Sequence, residues 1–467
     1  MESKQQAKNG YQMDMVHGPL AGKILLFALP LMFSSILQLL FNAADVVVVG
    51  RYAGEAALAA VGSTSSLINL LVTLFVGFSV GTNVVVARDL GAGRPEQVRD
   101  GVHTAVAIAL ISGVLLTVLG LAAARPLLVL TASTPDVIDL ATLYLRIYFC
   151  GMPVNMLYNF GAAILRAQGD TRRPLYFLAI AGVTNVALNL LFVIVLEMSV
   201  AGVALATIIS QYISALLVLQ CLIRDKGALR LDLKKLGLDK RVIIRICQVG
   251  LPAGFQGIVF SLSNVVIQSS INSFNSTAIV AGSSTSSNIE GFVYTGMNAI
   301  YQTCLTFTSQ NYGAGKCRRV DRTLLLCLGY VTAIGLALGN LAVFLGPQLA
   351  SIYAPGEPEV VAQAVLRLQY VCSLYFLCGI MDTMVGVLRG LGYSVVPMVV
   401  SMVGACVTRL VWVATIFQVY RSPEVLYLSY PVSWTITLTV HMLFFLFIRR
   451  HAYAKVQGIH AIKAGNA

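Results

Sequence analysis

Charge is what this chain has least of. Asp, Glu, Lys and Arg make up 11% of its 467 residues, against about 25% in soluble domains, and that shortage excludes a soluble fold. The nine cysteines include no Cys-x-x-Cys pair and no Cys/His cluster. A disulfide framework and a recognisable metal-ligand spacing are therefore excluded, and the cysteines read as small apolar fillers. There is no P-loop, no Gly-x-Ser-x-Gly elbow and no His-Glu-x-x-His. Without a P-loop nothing here is expected to hydrolyse a nucleotide unaided, so any pumping must draw on an ion gradient. No small-residue cleavage site follows a short apolar core near Met1, so no removable signal peptide is expected. The expectation is of a protein that is no enzyme and carries no cofactor.

What is present is apolar. Hydrophobic residues make up 57% of the chain, arranged as twelve long segments between Lys23 and Ile448. About 20 apolar residues span a bilayer core as a helix. The net charge of +12 does not imply nucleic acid, because the basic residues cluster in alternate connections between segments. One set holds Arg94 and Arg99, Arg172 and Arg173, the run from Arg224 to Arg245, Lys316 to Arg322, and Arg449 and Arg450. The other holds little beyond Arg51, Arg125 and Arg421. The positive-inside rule then places both termini in the cytoplasm of a multi-pass protein, with the basic loops against anionic lipid. Arg146 and Arg166 bracket the fourth segment, Arg367 and Arg389 the tenth, and each pair is expected to snorkel to opposite interfaces.

The two halves repeat. Leu29-Pro30 and Leu251-Pro252 stand 222 positions apart, and Asn42 and Asn264 keep the same offset. Val61 to Ser66 matches Ala281 to Ser286, Leu90-Gly-Ala-Gly-Arg matches Tyr312-Gly-Ala-Gly-Lys, and Leu165-Arg-x-x-Gly matches Leu388-Arg-x-x-Gly. Six spans per half make this a parallel repeat about an axis along the membrane normal. The predicted fold is all-α and integral to the membrane: twelve transmembrane helices in two six-helix lobes related by a pseudo-two-fold along that normal. The expected divisions are a cytoplasmic tail (1–22), an N-lobe (23–224), a cytoplasmic linker (225–241), a C-lobe (242–449) and a second tail (450–467). The linker reads either as an interfacial amphipathic segment or as a plain solvated connection.

Candidate functional residues are polar groups inside apolar spans. Gln38, Asn42 and Asp45 are spaced to share one face of the first helix. An intramembrane carboxylate is a functional hypothesis, although Asp45 near the outer mouth can also simply be solvated. Asn185 and Asn189 lie one turn apart in the fifth segment, and Thr207 is in the sixth. Their depths match that of Asp45, so helices one, five and six can gather them. A carboxylate with amide and hydroxyl neighbours suits a proton or Na⁺, while Asn and Thr pairs also serve as interhelical glue. In the second half, Glu290, Asp382 and Arg409 lie within spans. Arg409 needs a partner, and Asp382 or Glu290 can supply it as a structural pair or as a switch. Ser283 to Asn288, with the line Ser261, Asn264 and Gln268, are candidates for a wetted cavity wall. Pro30 is a candidate hinge.

These residues resemble a family. The first-helix run Phe41-Asn-Ala-Ala-Asp-Val-Val-Val-Val-Gly-Arg51, the two Gly-Ala-Gly turns, Leu165-Arg-Ala-Gln-Gly-Asp-Thr-Arg-Arg-Pro174 and Gly202-Val-Ala-Leu-Ala-Thr-Ile-Ile-Ser210 are similar to the corresponding stretches of the multidrug and toxic compound extrusion (MATE) transporters, nearer their DinF-like branch. The resemblance implies a monomer in a prokaryotic plasma membrane that exports organic cations and other amphipathic drugs in exchange for H⁺ or Na⁺. It also implies a cation site at Asp45, Asn185 and Thr207, with Asn189 standing where that branch carries a second acid. One acid instead of two leaves a proton site workable and deprives a Na⁺ site of a negative ligand. The rival is a flippase for lipid-linked oligosaccharide, which needs several intramembrane Arg or Lys; on the sequence only Arg409 qualifies.

Overall fold

The computed structural model describes residues 11–130 and 135–465, and every regular element among them is helical. The reason is the solvent. Hydrocarbon offers no partner to a backbone amide, so an apolar segment must satisfy its hydrogen bonds internally. The long helices are α1 (Leu20–Tyr52), α2 (Glu55–Gly91), α3 (Pro95–Leu130), α4 (Pro135–Cys150 with Met152–Ala167), α5 (Arg172–Asn189) and α6 (Ser199–Ile223). They continue as α7 (Lys240–Asn272), α8 (Thr277–Gly313), α9 (Cys317–Phe344), α10 (Pro358–Val371 with Phe376–Gly390), α11 (Val395–Ser401 onward to Val419) and α12 (Pro423–Gly465). Among the described residues, nine are apolar enough to cross a membrane outright, and α4 and α10 qualify as pairs bent by 49° and 45°. The twelfth, α8, is 37 residues long. Its Ser, Thr, Asn and Glu residues dilute its apolarity, but that length, at about 1.5 Å per residue, exceeds the thickness of the bilayer core.

The chain forms two compact units. One contains Phe33–Gly254 and residues 11–14; the other contains Met15–Met32 and residues 255–465. This division differs from a partition at the linker. It cuts α1 and α7, each two residues past the proline shared by the repeat, Pro30 and Pro252. The stretch 225–241 belongs to the first unit for a visible reason. Leu229 and Leu231 are buried in that unit's core, and its backbone donates from Asp232 to His103 Nε2 (3.0 Å) and from Asp239 to Thr104 Oγ1 (3.2 Å). Leu233 and Leu238 face outward. The segment is thus two-faced but mostly non-helical, with a single 3₁₀ turn at Leu233–Lys235.

In the first unit, glycines bring α2 against α7. A Cβ on Gly77 would lie 2.4 Å from the Gly254 nitrogen, and one on Gly81 would lie 2.3 Å from the Ile246 carbonyl. Backbones meet there, as small residues four apart allow. α1 meets α5 where Gly182 faces the Phe41 ring, with no room for a Cβ. In the second unit α8 approaches α10 at Gly282, where a Cβ would lie 2.6 Å from Gln363. The start of the chain is held there as well: Arg319 donates to the carbonyls of Met15, His17 and Gly18, and Lys316 to that of Val16.

Candidate functional site

The close contact of Phe41 with Gly182 places the polar positions beyond it in register. One turn after Phe41 comes Asp45; one and two turns after Gly182 come Asn185 and Asn189. Asn189 Nδ2 donates to Asp45 Oδ1, and also to Asn185 Oδ1 at 3.3 Å. Asn185 Nδ2 donates to Thr207 Oγ1 at 3.4 Å, and that hydroxyl donates to the Val203 carbonyl at 2.9 Å. Both asparagines are buried, while Asp45 and Thr207 are half-buried. The expected gathering from helices one, five and six is therefore present within the first unit.

One atom in this chain is left over. Asn189 Oδ1 is buried with no hydrogen-bond partner. A buried amide oxygen without a donor is costly, and its position beside a carboxylate suits a cation with oxygen ligands or a protonated Asp45. Immediately after Asn189 the helix widens into a π-turn, Leu190–Val195, a distortion often found at functional positions. Tyr144 and Tyr148 on α4 stand within electrostatic reach of Asp45, with rings stacked 6.0 Å apart. The sequence reading missed them, although two tyrosines at an i, i+4 spacing inside an apolar span were a usable signal. Gln38 and Asn42 are not part of the network; both are exposed. No group of three or more His, Cys, Asp or Glu side chains gathers as a metal site among the described residues.

In the second unit the expected pairing of Arg409 with an acid is corrected. Glu290 pairs with Arg367, Nε to Oε1 at 2.8 Å and Nη2 to Oε2 at 3.0 Å. Ser286 donates to Glu290 at 2.8 Å, and Arg367 Nη1 donates to Ser283 at 2.5 Å. Ser283 and Ser286 thus serve an ion pair between α8 and α10 and do not wet a cavity wall. Asp382 accepts from the Tyr294 hydroxyl at 3.1 Å. Arg409 instead donates Nε to Ser433 at 3.0 Å and lies over the Tyr430 ring, 4.3 Å from its centroid. The physical reason is reach. Glu290 is already held by two guanidinium nitrogens and a hydroxyl, and Asp382 by a phenol.

Snorkelling is corrected too. Arg146 is exposed, but Arg367 and Arg389 are each 5% exposed. Arg389 donates to Tyr301 Oη and Gln256 Oε1, both at 2.8 Å. Arg166 has its Nε buried without a partner. Arg409 is therefore not the sole intramembrane cation. Asn264 is exposed, and Gln268 donates to Asn272 at 3.1 Å.

Comparison with known proteins places these features in context. The family model described as MatE matches residues 30–191 and 252–415. The chain is 26% identical to the "Probable multidrug resistance protein YoeA" of Bacillus subtilis over 432 residues, covering 91% of this chain and 93% of that one. It is 25% identical to the "Probable multidrug resistance protein NorM" of Thermotoga maritima over 399 residues, covering 83% and 84%. A crystal structure of MATE in complex with MaL6 superposes with a TM-score of 0.87 at 21% identity, covering 95% of this chain and 98% of that one.

Proposed function

Because the chain belongs to the MatE family, whose members are membrane transporters and not enzymes, we propose that it is a secondary active multidrug efflux antiporter. It exports amphipathic and organic cationic compounds in exchange for H⁺ or Na⁺, and the coupling ion acts at Asp45. The observation that carries this reading is the chain Asp45–Asn189–Asn185–Thr207, with the unpartnered Asn189 oxygen at its centre. The names of the relatives in Bacillus subtilis and Thermotoga maritima, each printed as a probable multidrug resistance protein, support the substrate class.

The mechanism follows from charge. Asp45 without an ion is a carboxylate inside a bundle, held by one amide donor. A proton or Na⁺ arriving there neutralises it, and Asn189 then re-pairs with the changed group. α1 carries Pro30 in its interior, which removes one backbone hydrogen bond and makes a bend inexpensive. Repacking of α1 about Pro30 weakens drug binding and releases the drug. Drug and ion need not share residues; they need only favour opposite states. Both termini lie in the cytoplasm of a plasma membrane, the protein works as a monomer, and its basic loops contact lipid.

The test is ethidium efflux from vesicles with H⁺ and Na⁺ gradients imposed separately. Asp45→Asn is expected to abolish gradient-driven efflux while the protein stays folded. An Asp45→Asn variant that pumps like the parent overturns the assignment. A second reading, the lipid flippase, is favoured by one observation: Arg389 and Arg409 are buried without an acid. Gradient-independent movement of a lipid-linked pyrophosphate, with no ethidium efflux, decides for it.

A further inference from the structure

We propose that the segment 225–241 of the first unit is a membrane-surface site for the acidic phospholipids of the cytoplasmic leaflet. Leu233 and Leu238 enter the headgroup layer, and Lys234, Lys235, Lys240 and Arg241 meet lipid phosphates. The inference narrows the general expectation that basic loops meet lipid to one segment. It is independent of the antiport reading, since a lipid site needs no gradient.

The first observation is depth. The segment's backbone donates from Asp232 to His103 and from Asp239 to Thr104, at 3.0 and 3.2 Å. Those two acceptors directly precede residues 105–124 of α3, a run of 20 without a charge, which is the length that spans a bilayer core. The segment is therefore pinned at the edge of the hydrocarbon. Arg94 stands elsewhere. It precedes His103 by nine positions, about 13 Å along a helix axis. That exceeds the Debye length of about 8 Å in physiological salt, and its guanidinium donates to Gln97 at 3.2 Å.

The second observation is what the segment turns outward. Leu229 and Leu231 face the core of the unit, but Leu233 and Leu238 are 55% and 53% exposed. Lys234, Lys235, Lys240 and Arg241 are exposed beside them. The carboxylates of the same stretch do not neutralise these cations, because they serve the backbone. Asp232 Oδ1 accepts from the Lys234 amide at 3.1 Å, and Asp239 Oδ1 accepts from the Arg241 and Val242 amides at 2.7 and 3.2 Å. Among the described residues none of the four cations joins an ion pair. Apolar side chains between basic ones are the pattern of an interfacial anchor, presented here on a 3₁₀ turn and extended chain. Leucines held at a membrane surface gain by leaving water, and cations at that level attract acidic headgroups. A soluble acidic partner would engage the cations at any depth; only a membrane accounts for the leucines standing at the edge of the hydrocarbon.

The experiment uses the full chain in phosphatidylcholine nanodiscs with graded phosphatidylglycerol, one lipid or the other brominated in its acyl chains. Leu238→Trp reports lipid contact by quenching, read as the difference from the parent, whose two tryptophans set the baseline. Leu233→Trp is the second reporter, should the first fail to fold. Both are expected to be quenched, with phosphatidylglycerol preferred over phosphatidylcholine by about tenfold, a fraction of what four cations at a membrane surface can supply. Lys234→Gln with Lys235→Gln should cut that preference at least about threefold, and salt at about 0.5 M should cut it as well. Arg94→Gln should leave it unchanged. Absence of quenching at both positions by both lipids leaves the segment in water and overturns the proposal. So does equal quenching by the two lipids, a preference that survives loss of both lysines, or an equal response to Arg94→Gln. A signal that appears only in nanodiscs holding two copies of the chain assigns this face to a second copy and overturns it too.

Discussion

Glu290→Gln keeps the shape of its side chain and removes one charge. It leaves the Arg367 guanidinium uncompensated at a position 5% exposed. Removing one partner of a buried ion pair costs about 3–5 kcal/mol. The glutamine oxygen still accepts one hydrogen bond, which returns about 1 kcal/mol. The contacts of Arg367 with the Tyr427 and Tyr430 rings, each at 5.6 Å, are present in both proteins and cancel. The expected loss is therefore about 2–4 kcal/mol. It is measured by reversible unfolding in mixed micelles titrated with sodium dodecyl sulfate. Glu290→Leu combined with Arg367→Met removes both charges and should return to within about 1 kcal/mol of the parent, because matched apolar replacement of a buried pair is often neutral. A single variant within about 0.5 kcal/mol of the parent, or a double variant less stable than the single, would refute the reasoning.

Two further changes address the site in the first unit. Asn189→Asp supplies a second carboxylate beside Asp45, and the apparent Na⁺ affinity for driving efflux should rise at least about tenfold, by the attraction of one more nearby charge; efflux measured against graded Na⁺ gradients checks it, and an unchanged Na⁺ dependence sinks it. Gly182→Ala drives a methyl into the Phe41 ring, which should cost about 1–3 kcal/mol and lift α1 away from Asn189. The expected result is lowered thermal stability together with lost coupling, with partial recovery when Phe41→Leu is added.

Much of this architecture was legible in the sequence, and α8 is the helix whose own composition shows it least. Its apolarity is diluted by Ser283, Ser286 and Glu290, yet the internal repeat identifies it as the counterpart of α2. The Asp45 network was legible because its members announce themselves: polar groups in apolar spans at matching depth. Gln38 and Asn42 share that trait and stay outside the network, since helical spacing specifies a face to within a wide arc and says nothing of what the face meets. Tyr144 and Tyr148 went unnoticed because an aromatic in an apolar span looks like ordinary packing.

The sequence by itself determined that the chain crosses a membrane, how often, and that its two halves are copies, because bilayer thickness and backbone hydrogen bonding leave a long apolar run one conformation. Only the tertiary structure decided who pairs with whom. Glu290 and Arg367 are 77 positions apart, and nothing local distinguishes Arg367 from Arg409 as the partner of that acid. The choice depends on how closely two helices approach at Gly282, a distance that side-chain volume sets across the interface and that no single helix encodes.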